Sequence, residues 1–285
     1  MRSAKNWLRI LVPRILRNLL RSPGRTAADL YDQLSYILGV RPTVAIRDDW
    51  GVRCHPAARR VVEASFVTDP DQRIELSRFV ETCTPGMVLF DLGAHYGIVS
   101  LAALHYGGTN AHAIAVEPSP DACSMIRVLA RLNHAGSRLE VVQAAATETS
   151  GRHRMVSTGP KAHHYYVSVE DDRPDGDYSE VAAVSIDDLT RRFRPPTHVK
   201  IDVEGLEGPV LQGAAETLRT HRPIVFLELH PAAIAALGRS IEEPLRLLSQ
   251  GGYAIFDNQH RAVDPHQLTS IRGVTRVVAQ PLADG

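Results

Sequence analysis

The sequence has no excess of charge of either sign. Its 285 residues include 32 Lys and Arg against 32 Asp and Glu. Proteins that bind nucleic acid usually carry a basic excess, so the composition argues against DNA or RNA as a partner. Long hydrophobic runs are also lacking. No stretch reaches the roughly 18 apolar residues that a membrane-spanning helix needs.

Cysteine is scarce as well. Cys54, Cys83 and Cys123 lie far apart in the sequence, and none of them forms a pair with metal-ligand spacing. Disulfides belong mainly to oxidising compartments, whereas scattered single cysteines are typical of small buried side chains. We therefore expect a cytoplasmic protein whose cysteines bind no metal.

The first 25 residues differ from the rest in charge. They contain seven basic residues, and no acidic residue precedes Asp29. Apolar residues recur among them at helical spacing, namely Leu8, Leu11, Val12, Ile15, Leu16 and Leu19. A basic amphipathic helix can lie on an anionic membrane surface, or it can pack on the main domain or on a second subunit. Arg9, Arg14 and Arg17 interrupt the apolar core of a signal peptide, so we expect no secretion.

From about residue 71 onward, apolar runs alternate with helical patterns. The runs that predict core strands are Met87–Asp91, Ala113–Glu117, Leu139–Ala144, Val199–Val203, Ile224–Leu229, Tyr253–Asp257 and Val274–Val278. Such alternation is typical of a mostly parallel sheet. We expect a Rossmann-like, doubly wound α/β domain over residues 71–285. Residues 1–70 are expected to form a helical extension with a hairpin, and the polar segment 152–184 is expected to project from the sheet.

The segment 88–97 joins a buried strand to a helix through an acid and two glycines. Glycine lets the backbone turn sharply near a ligand, and doubly wound sheets bind ligands beyond the carboxyl ends of their strands. The pattern Asp91-x-Gly93-x-x-x-Gly97 differs from the dinucleotide fingerprint Gly-x-Gly-x-x-Gly. The negative charge of Asp91 disfavours a pyrophosphate there and suits a positive group such as an amino acid ammonium.

Three further strand ends carry polar residues. Glu117 ends the second core strand. Its separation in sequence from Gly93 is close to the roughly 20 residues typical of an acid that binds ribose hydroxyls. The strand Val199–Val203 carries Lys200 and Asp202 near its end, and Glu204 follows it. The strand Ile224–Leu229 carries Glu228 near its end, and His230 follows it. A carboxylate or an imidazole can accept a proton during catalysis, so these strand ends are candidates for chemistry.

Five segments together resemble the FkbM family of class I S-adenosylmethionine (SAM)-dependent methyltransferases. They are Phe90–Gly97, Ala115–Pro120, Ser185–Leu189, Val199–Glu207 with Val210–Gly213, and Pro223–His230. His95 stands where the family usually has Asn. The resemblance implies a seven-stranded sheet with one antiparallel strand at its edge.

The resemblance also implies roles for the strand-end residues. Asp91 and Gly93, with Ala94, His95 and Gly97 in the same turn, would hold the methionine end of SAM. The ribose would bind Glu117, with Pro118 beside it, and the adenine would be flanked by Gln143, Ala144 and Ala145. The methyl group would point towards Asp202, which borders the cofactor, and His230. Asp202 is the first candidate for the catalytic base, His230 the second and Glu204 the third, while Glu207 is expected to favour the N-terminus of the next helix.

The predicted function is O-methylation of a hydroxyl on a sugar, a glycan or a small natural product. A Mg²⁺ ion at Asp202 and Glu204 is the less favoured alternative, since nothing in the sequence fixes a coordination set. Two other classes of protein stay open at this point. One is an NAD-type oxidoreductase, and the other is a non-catalytic, membrane-associated protein on a methyltransferase scaffold.

Overall fold

The computed structural model describes residues 23–158, 165–168, 178–264 and 273–283. The chain divides into two compact units, Met1–Asp69 and Pro70–Gly285. Most of the basic segment predicted to form an amphipathic helix lies outside the described residues. Among the residues that are described, no helix is long and apolar enough to cross a membrane.

The first unit joins two helices through a hairpin. Its elements are helix α1 (Pro23–Ile37), strands β1 (Thr43–Arg47) and β2 (Trp50–Arg53), and helix α2 (Pro56–Glu63), which continues into a π-helical turn (Ala64–Thr68). The strands pair antiparallel with Val44 opposite Val52, and both side chains are buried. The His55 imidazole caps α2 by accepting a hydrogen bond from the Ala57 amide, next to a proline that suits the first helical turn.

The second unit alternates strands and helices as the sequence predicts. Its elements are α3 (Pro70–Thr82), β3 (Val88–Leu92), α4 (Ile98–Tyr106), β4 (His112–Val116), α5 (Pro120–Leu132), a 3-10 turn (Gly136–Arg138), β5 (Leu139–Val142), β6 (Ala145–Ala146), β7 (Gly151–Thr158), β8 (Tyr165–Ser168), β9 (Tyr178–Val184), α6 (Ile186–Arg192), β10 (His198–Ile201), α7 (Glu207–Gln212), α8 (Ala215–His221), β11 (Ile224–Leu229), α9 (Pro231–Ala236), α10 (Glu242–Gln250), β12 (Tyr253–Asp257) and β13 (Thr275–Pro281).

Seven strands form the main sheet, in the order β12-β13-β11-β10-β3-β4-β5. The pairs β11-β10, β10-β3, β3-β4 and β4-β5 are parallel, which confirms the Rossmann-like, mostly parallel sheet. The antiparallel strand is β13, and it lies between β11 and β12 rather than at the edge. The expectation of an antiparallel edge strand is therefore wrong. The physical reason is burial, because Val277, Val278 and Ala279 of β13 are all buried and so suit an interior strand.

The segment after β5 forms a second sheet of its own. Its four strands run in the order β6-β9-β7-β8, with β7 antiparallel to both β8 and β9. Residues 159–164 and 169–177 within this segment lie outside the described part of the chain.

Helix α3 packs on the central strands through an aromatic contact. The Phe79 ring lies 5.3 Å from the ring of Phe226 on β11, in an edge-on arrangement. Lys200 on β10 is the register neighbour of Phe226. Residues four apart lie on one face of a helix, so the packing of Phe79 brings Glu75 next to Lys200. This is how a helix before the first core strand contributes an acid to the strand ends.

Candidate functional site

A glycine-rich turn follows β3 and binds the ends of both neighbouring strands. The amides of Gly93 and Ala94 donate to the Val116 carbonyl of β4, and the Asp202 amide after β10 donates to the Leu92 carbonyl. Gly93 has φ +80°, and a Cβ at this position would lie 1.8 Å from the Asp202 carbonyl oxygen. Glycine is therefore required at position 93 by backbone conformation and by close approach.

His95 occupies the next left-handed position of this turn, with φ +47°. Asn, Asp and His are the non-glycine residues that adopt this conformation most readily, which explains how His replaces the usual Asn. Its ring stacks on that of Tyr96 with 4.1 Å between the centroids. Its backbone amide donates to Oε2 of Glu117 at 2.9 Å, so the turn also orients the predicted ribose-binding acid.

Glu117 is buried at the end of β4, and backbone amides hold both of its carboxylate oxygens. His95 donates to Oε2, and Ser119 donates to Oε1 at 2.9 Å. Burial raises the pKa of Glu117 to about 7, although the two amide hydrogen bonds act in the opposite direction. Each carboxylate oxygen has two lone-pair sites, so each retains one for a hydroxyl of a ribose diol.

Asp91 is also buried and anchors the helix that follows the turn. Its Oδ2 accepts hydrogen bonds from the amide of Ser100 at 3.1 Å and from its hydroxyl at 2.6 Å. Burial raises the pKa of Asp91, while the charge of Lys200 acts to lower it. The contact of Asp91 with the methionine end of SAM stays a prediction, and the structure adds that Asp91 fixes the first turn of α4.

The residues predicted to flank adenine follow β5. Gln143 is exposed, whereas Ala144 and Ala145 are buried. The Val142 carbonyl accepts hydrogen bonds from the amides of Glu117 and Ala144. The predicted ribose and adenine positions are therefore adjacent at the carboxyl ends of β4 and β5. Pro118, beside Glu117, is half-buried.

A cluster of charged residues lies at the ends of β10 and β11, and we call it the strand-end cluster. Its members are Glu75, Lys200, Asp202, Glu204, Glu207, Glu228, His230 and Arg276. The Lys200 ammonium is buried and lies 3.1 Å from Asp202 Oδ2, 3.9 Å from Glu228 Oε2 and 4.0 Å from Glu75 Oε1. A buried charge is tolerated when it is paired in this way.

Arg276 of β13 adds a second fixed positive charge. It lies 3.2 Å from Glu75 and 2.6 Å from Glu228. Burial is the main cause that raises the pKa of Glu228 to about 7, and the negative charge of Asp202 acts in the same direction. No role was predicted from the sequence for Glu75 or Arg276, and none for Glu228 beyond its place at a strand end. The signal for Glu228 was an acid inside an otherwise apolar run of strand residues.

His230 links the predicted catalytic residues. Its Nδ1 lies 2.8 Å from Glu207 Oε1, and its Nε2 lies 3.5 Å from Glu204, 3.7 Å from Asp202 and 3.8 Å from Glu228. Burial acts to lower the pKa of His230, but the hydrogen bond to Glu207 and the charges of Asp202 and Glu204 outweigh it and raise the pKa to about 9. The structure thus brings Asp202, His230 and Glu204 together.

Asp202 and Glu204 are the more accessible acids of the cluster, with side chains 25% and 33% exposed. Burial acts to raise the pKa of Asp202, but the positive charges of Lys200 and His230 outweigh it, so this pKa lies below its ordinary value. Burial raises the pKa of Glu204. Asp202 is therefore ionised at neutral pH.

Glu207 has a role that its sequence position did not reveal. It is the first residue of α7, as expected for an acid at a helix N-terminus, but its side chain is completely buried. Oε1 accepts hydrogen bonds from the Gly205 amide at 3.1 Å and from His230. A carboxylate bonded to Nδ1 fixes the tautomer and the orientation of an imidazole, so Glu207 directs Nε2 of His230 towards the other acids.

Asp202, Glu228 and His230 bring one ligand atom each within 4.8 Å of one another, an arrangement that could hold a metal ion. This set differs from the pair predicted for Mg²⁺, in which Glu204 accompanied Asp202. Lys200 and Arg276 already contact the Asp202 and Glu228 carboxylates and supply positive charge there. The absence of a catalytic metal therefore stays a prediction.

Comparison with known proteins gives one family. A family model described as "Methyltransferase FkbM domain" matches residues 91–255. No curated protein matches the sequence of this chain.

Among solved structures, the chain is similar to methyltransferase FkbM from Methylobacillus flagellatus KT, with 18% identity, a TM-score of 0.47, and coverage of 73% of this chain and 51% of that one. It is also similar to a putative rRNA-methylase from Clostridium thermocellum, with 9% identity, a TM-score of 0.46 and coverage of 76% and 98%. A third is Aeropyrum pernix fibrillarin with bound SAM, with 12% identity, a TM-score of 0.40 and coverage of 69% and 67%. This chain spans about half the length of the M. flagellatus protein.

Proposed function

The chain belongs to the FkbM methyltransferase family, and from this premise we propose that it transfers a methyl group from SAM to a hydroxyl of a sugar, a glycan or a small natural product. The observation that carries the proposal is the strand-end cluster beside the glycine-rich turn. In the described chain, this cluster combines five carboxylates with three basic side chains. It is net acidic even when His230 is protonated.

A net acidic cluster suits a cationic ligand. When bound, SAM supplies an electrophilic methyl group on a positively charged sulfur. The residues that would hold it are Glu117, through the ribose hydroxyls, and the backbone of the turn from Gly93 to Gly97. The acids Asp91, Asp202 and Glu228 disfavour the pyrophosphate of a nicotinamide dinucleotide at this edge of the sheet, because like charges in a low-dielectric site repel strongly.

We propose Asp202 as the acceptor of the hydroxyl proton because it is ionised and accessible, and its depressed pKa makes it a weak base in this role. Its pKa lies below the ordinary value, so it is ionised at neutral pH, and its side chain is accessible. His230 has a pKa of about 9 and is mostly protonated at neutral pH, so its imidazolium stabilises the Asp202 carboxylate instead. Proton transfer to a positioned side chain contributes about 10²–10⁴-fold to a rate.

Glu207 acts through His230 and is a positioning residue. The hydrogen bond to Nδ1 keeps His230 protonated and keeps Nε2 directed at Asp202, Glu204 and Glu228. Positioning of reacting groups accounts for a large part of enzymatic rate enhancement. Glu204 remains the alternative base, because its side chain is the most exposed of the three carboxylates that surround Nε2.

Calorimetric titration of the protein with SAM, S-adenosylhomocysteine and NAD tests the cofactor. We expect binding of SAM and S-adenosylhomocysteine and no binding of NAD. Binding of NAD without binding of SAM would overturn the proposal in favour of an oxidoreductase.

The acceptor class is tested with SAM that carries a labelled methyl group, offered with sugar, glycan and polyketide hydroxyl acceptors and with tRNA as a comparison. Label in a product that survives alkaline hydrolysis is expected, since methyl ethers resist hydroxide and methyl esters do not. Label found in esters alone would contradict hydroxyl transfer, and label found in tRNA alone would contradict the proposed class of acceptor. Two results together would favour the non-catalytic alternative. One is that no acceptor becomes labelled, and the other is that an Asp202→Asn variant keeps the biological activity of the wild type.

A further inference from the structure

Glu204 adopts a backbone conformation that is costly for its residue type. Its φ is +53°, in the left-handed region where residues other than Gly, Asn, Asp and His are uncommon. Strain of this kind persists only where the surrounding structure enforces it, and it concentrates at functional sites. Glu204 follows β10 and belongs to the strand-end cluster, so its conformation calls for a functional explanation.

Contacts on both sides of Glu204 hold the loop that carries it. Before it, the amide of Asp202 donates to the carbonyl of Leu92 on β3. After it, Gly205 has φ +107°, and a Cβ added there would lie 3.0 Å from Ala233 of α9. The backbone is therefore fixed on either side of Glu204, and the loop cannot relax the strain without losing these contacts.

The Glu204 carboxylate has no hydrogen-bond partner in the described chain. Its Oε2 lies 3.5 Å from Nε2 of His230, beyond the length of a normal N–H···O hydrogen bond of about 2.7–3.2 Å. Nε2 lies 3.7 Å from Oδ1 of Asp202, and among the described residues neither of these two atoms makes a hydrogen bond. One donor and two acceptors are therefore open to a ligand at this point of the site.

We propose that Glu204 is a specificity residue that binds a second hydroxyl of the acceptor, next to the hydroxyl that is methylated. The inference rests on the function proposed above. In this arrangement the reacting hydroxyl accepts from Nε2 of His230 and donates to Oδ1 of Asp202, and the neighbouring hydroxyl donates to Glu204. One molecule can make all three contacts, because both carboxylate oxygens lie within 3.7 Å of the same nitrogen.

The acceptor class is therefore a vicinal diol. During transfer, the proton of the reacting hydroxyl passes to Asp202 while its oxygen bonds to the methyl carbon, and the bond between that carbon and the sulfur breaks. The second hydroxyl keeps its proton and its hydrogen bond to Glu204 throughout. Glu204 thus selects the acceptor and fixes which of its hydroxyls faces Asp202.

Charge favours a neutral second donor over an ammonium. His230 is mostly protonated at neutral pH because its pKa is about 9, and its Nε2 lies 3.5 Å from Glu204. The imidazolium would repel a second cation bound to Glu204, whereas it does not repel a hydroxyl. A carboxylate on the acceptor would be repelled by Asp202 and Glu204 themselves. A hydroxyl is the donor that fits both charges.

Transfer of a labelled methyl group from SAM to the methyl glycosides of mannose, glucose and galactose tests the inference. Each contains vicinal diols, and the matched acceptor for each product lacks the hydroxyl next to the methylated one. The wild type should prefer the intact glycoside by about ten-fold in kcat/KM, the effect of one hydrogen bond to a charged group. Glu204→Gln should lose most of this preference and should raise KM for the glycoside more than it lowers kcat, because the contact is already made in the bound substrate.

Glu140→Gln changes an exposed acid of β5 and is the control that should keep the preference. Urea unfolding of Glu204→Gly and Glu204→Ala tests the strain separately. Both variants lose the carboxylate, but only alanine keeps a Cβ, so the glycine variant should have the higher midpoint. Equal midpoints would show that Glu204 is not strained and would overturn the inference.

Three results of the transfer experiment are decisive against the inference. Equal kcat/KM of the wild type for the glycoside and its deoxy form would overturn it and leave the proposed function in place, as would transfer confined to acceptors with one isolated hydroxyl. A loss in Glu204→Gln that falls on kcat and is equal for both acceptors would make Glu204 the base instead. No transfer to any hydroxyl acceptor would overturn the proposed function, and the inference with it.

Discussion

Nδ1 of His230 lies 2.8 Å from Oε1 of Glu207, and the Glu207 side chain is completely buried. This pair combines two residues that follow different strands, β10 and β11. It determines which nitrogen of His230 is available to the acids around it. The same contact helps to maintain the positive charge of the imidazole.

Replacing Glu207 by Gln should lower the pKa of His230 from about 9. A neutral amide favours the charged imidazole less than a carboxylate does. NMR titration of the histidine ring protons measures this pKa. His198 is the control, because burial lowers its pKa and it lies at the far end of β10, so the variant should leave it unchanged. An ordinary His230 pKa in the wild type would contradict the proposed role of Glu207.

Replacing Asp202 by Asn should reduce kcat by about 10²–10⁴-fold, because the substitution removes the proton acceptor. Glu204→Gln is the matched control and should have a smaller effect. Since His230 must be protonated to support Asp202, the kcat/KM of the wild type should also fall as the pH rises towards about 9, the pKa of His230. A larger loss in Glu204→Gln would make Glu204 the base, and a rate that rises over the same pH range would make His230 the base.

The affinity for SAM should fall as the pH drops through about 7. The pKa of Glu117 is raised to about 7, so its carboxyl takes up a proton below this pH and loses acceptor capacity for the ribose hydroxyls. Glu117→Gln should remove most of this pH dependence. Above the raised pKa it should also weaken binding by about 1.5–3 kcal/mol, the contribution of a hydrogen bond to a charged group. Calorimetry measures both the pH dependence of the SAM affinity and the loss of affinity in the variant. It is done at three pH values, namely the raised pKa and roughly one unit to either side of it.

Glu140→Gln is the control for that experiment, because Glu140 is an exposed acid on β5 and should not alter the affinity. The raised pKa also has a consequence for stability. Ionisation of Glu117 costs more in the folded state than in the unfolded one, so the contribution of this group to stability falls as the pH rises from 4.5 to about 7. A pH-independent SAM affinity in the wild type would contradict the assignment of Glu117 to the ribose.

Replacing Gly93 by Ala should destabilise the protein by about 2–4 kcal/mol, because it adds a steric clash to backbone strain. The new Cβ would lie 1.8 Å from the Asp202 carbonyl oxygen, so the ends of β3 and β10 would have to separate. Gly108→Ala is the control, since Gly108 has φ +76° and a Cβ added there would meet no atom within 4 Å. The control should cost about 1–2 kcal/mol from strain alone. Urea unfolding measures both variants, and equal costs would show that close approach does not matter at Gly93.

Much of the sheet could be predicted from the sequence, because strands buried on both faces are continuous apolar runs. The runs at Ile224–Leu229 and Tyr253–Asp257 match β11 and β12 at both ends. The position of β13 could not be predicted, since an apolar run indicates a strand without identifying its neighbours. Only the pairing shows that β13 lies between β11 and β12.

The candidate site was predictable where its residues follow core strands. Asp202 and His230 lie at the carboxyl ends of β10 and β11, which are neighbours, so their proximity follows from the sheet. Glu75 and Arg276 gave no such signal. Glu75 belongs to a helix, where acids are common on the solvent side, and its contact with Lys200 depends on the packing of Phe79 on Phe226.

The insertion of β13 between β11 and β12 has a consequence for biosynthesis. β13 is the last strand of the sheet in chain order, and it carries Arg276, which contacts both Glu75 and Glu228. While the ribosome still covers this strand, Lys200 is the fixed cation that the described residues place beside Glu228 at the end of β11. The strand-end cluster of the nascent protein therefore gains the positive charge of Arg276 only after every other strand of the main sheet has been made.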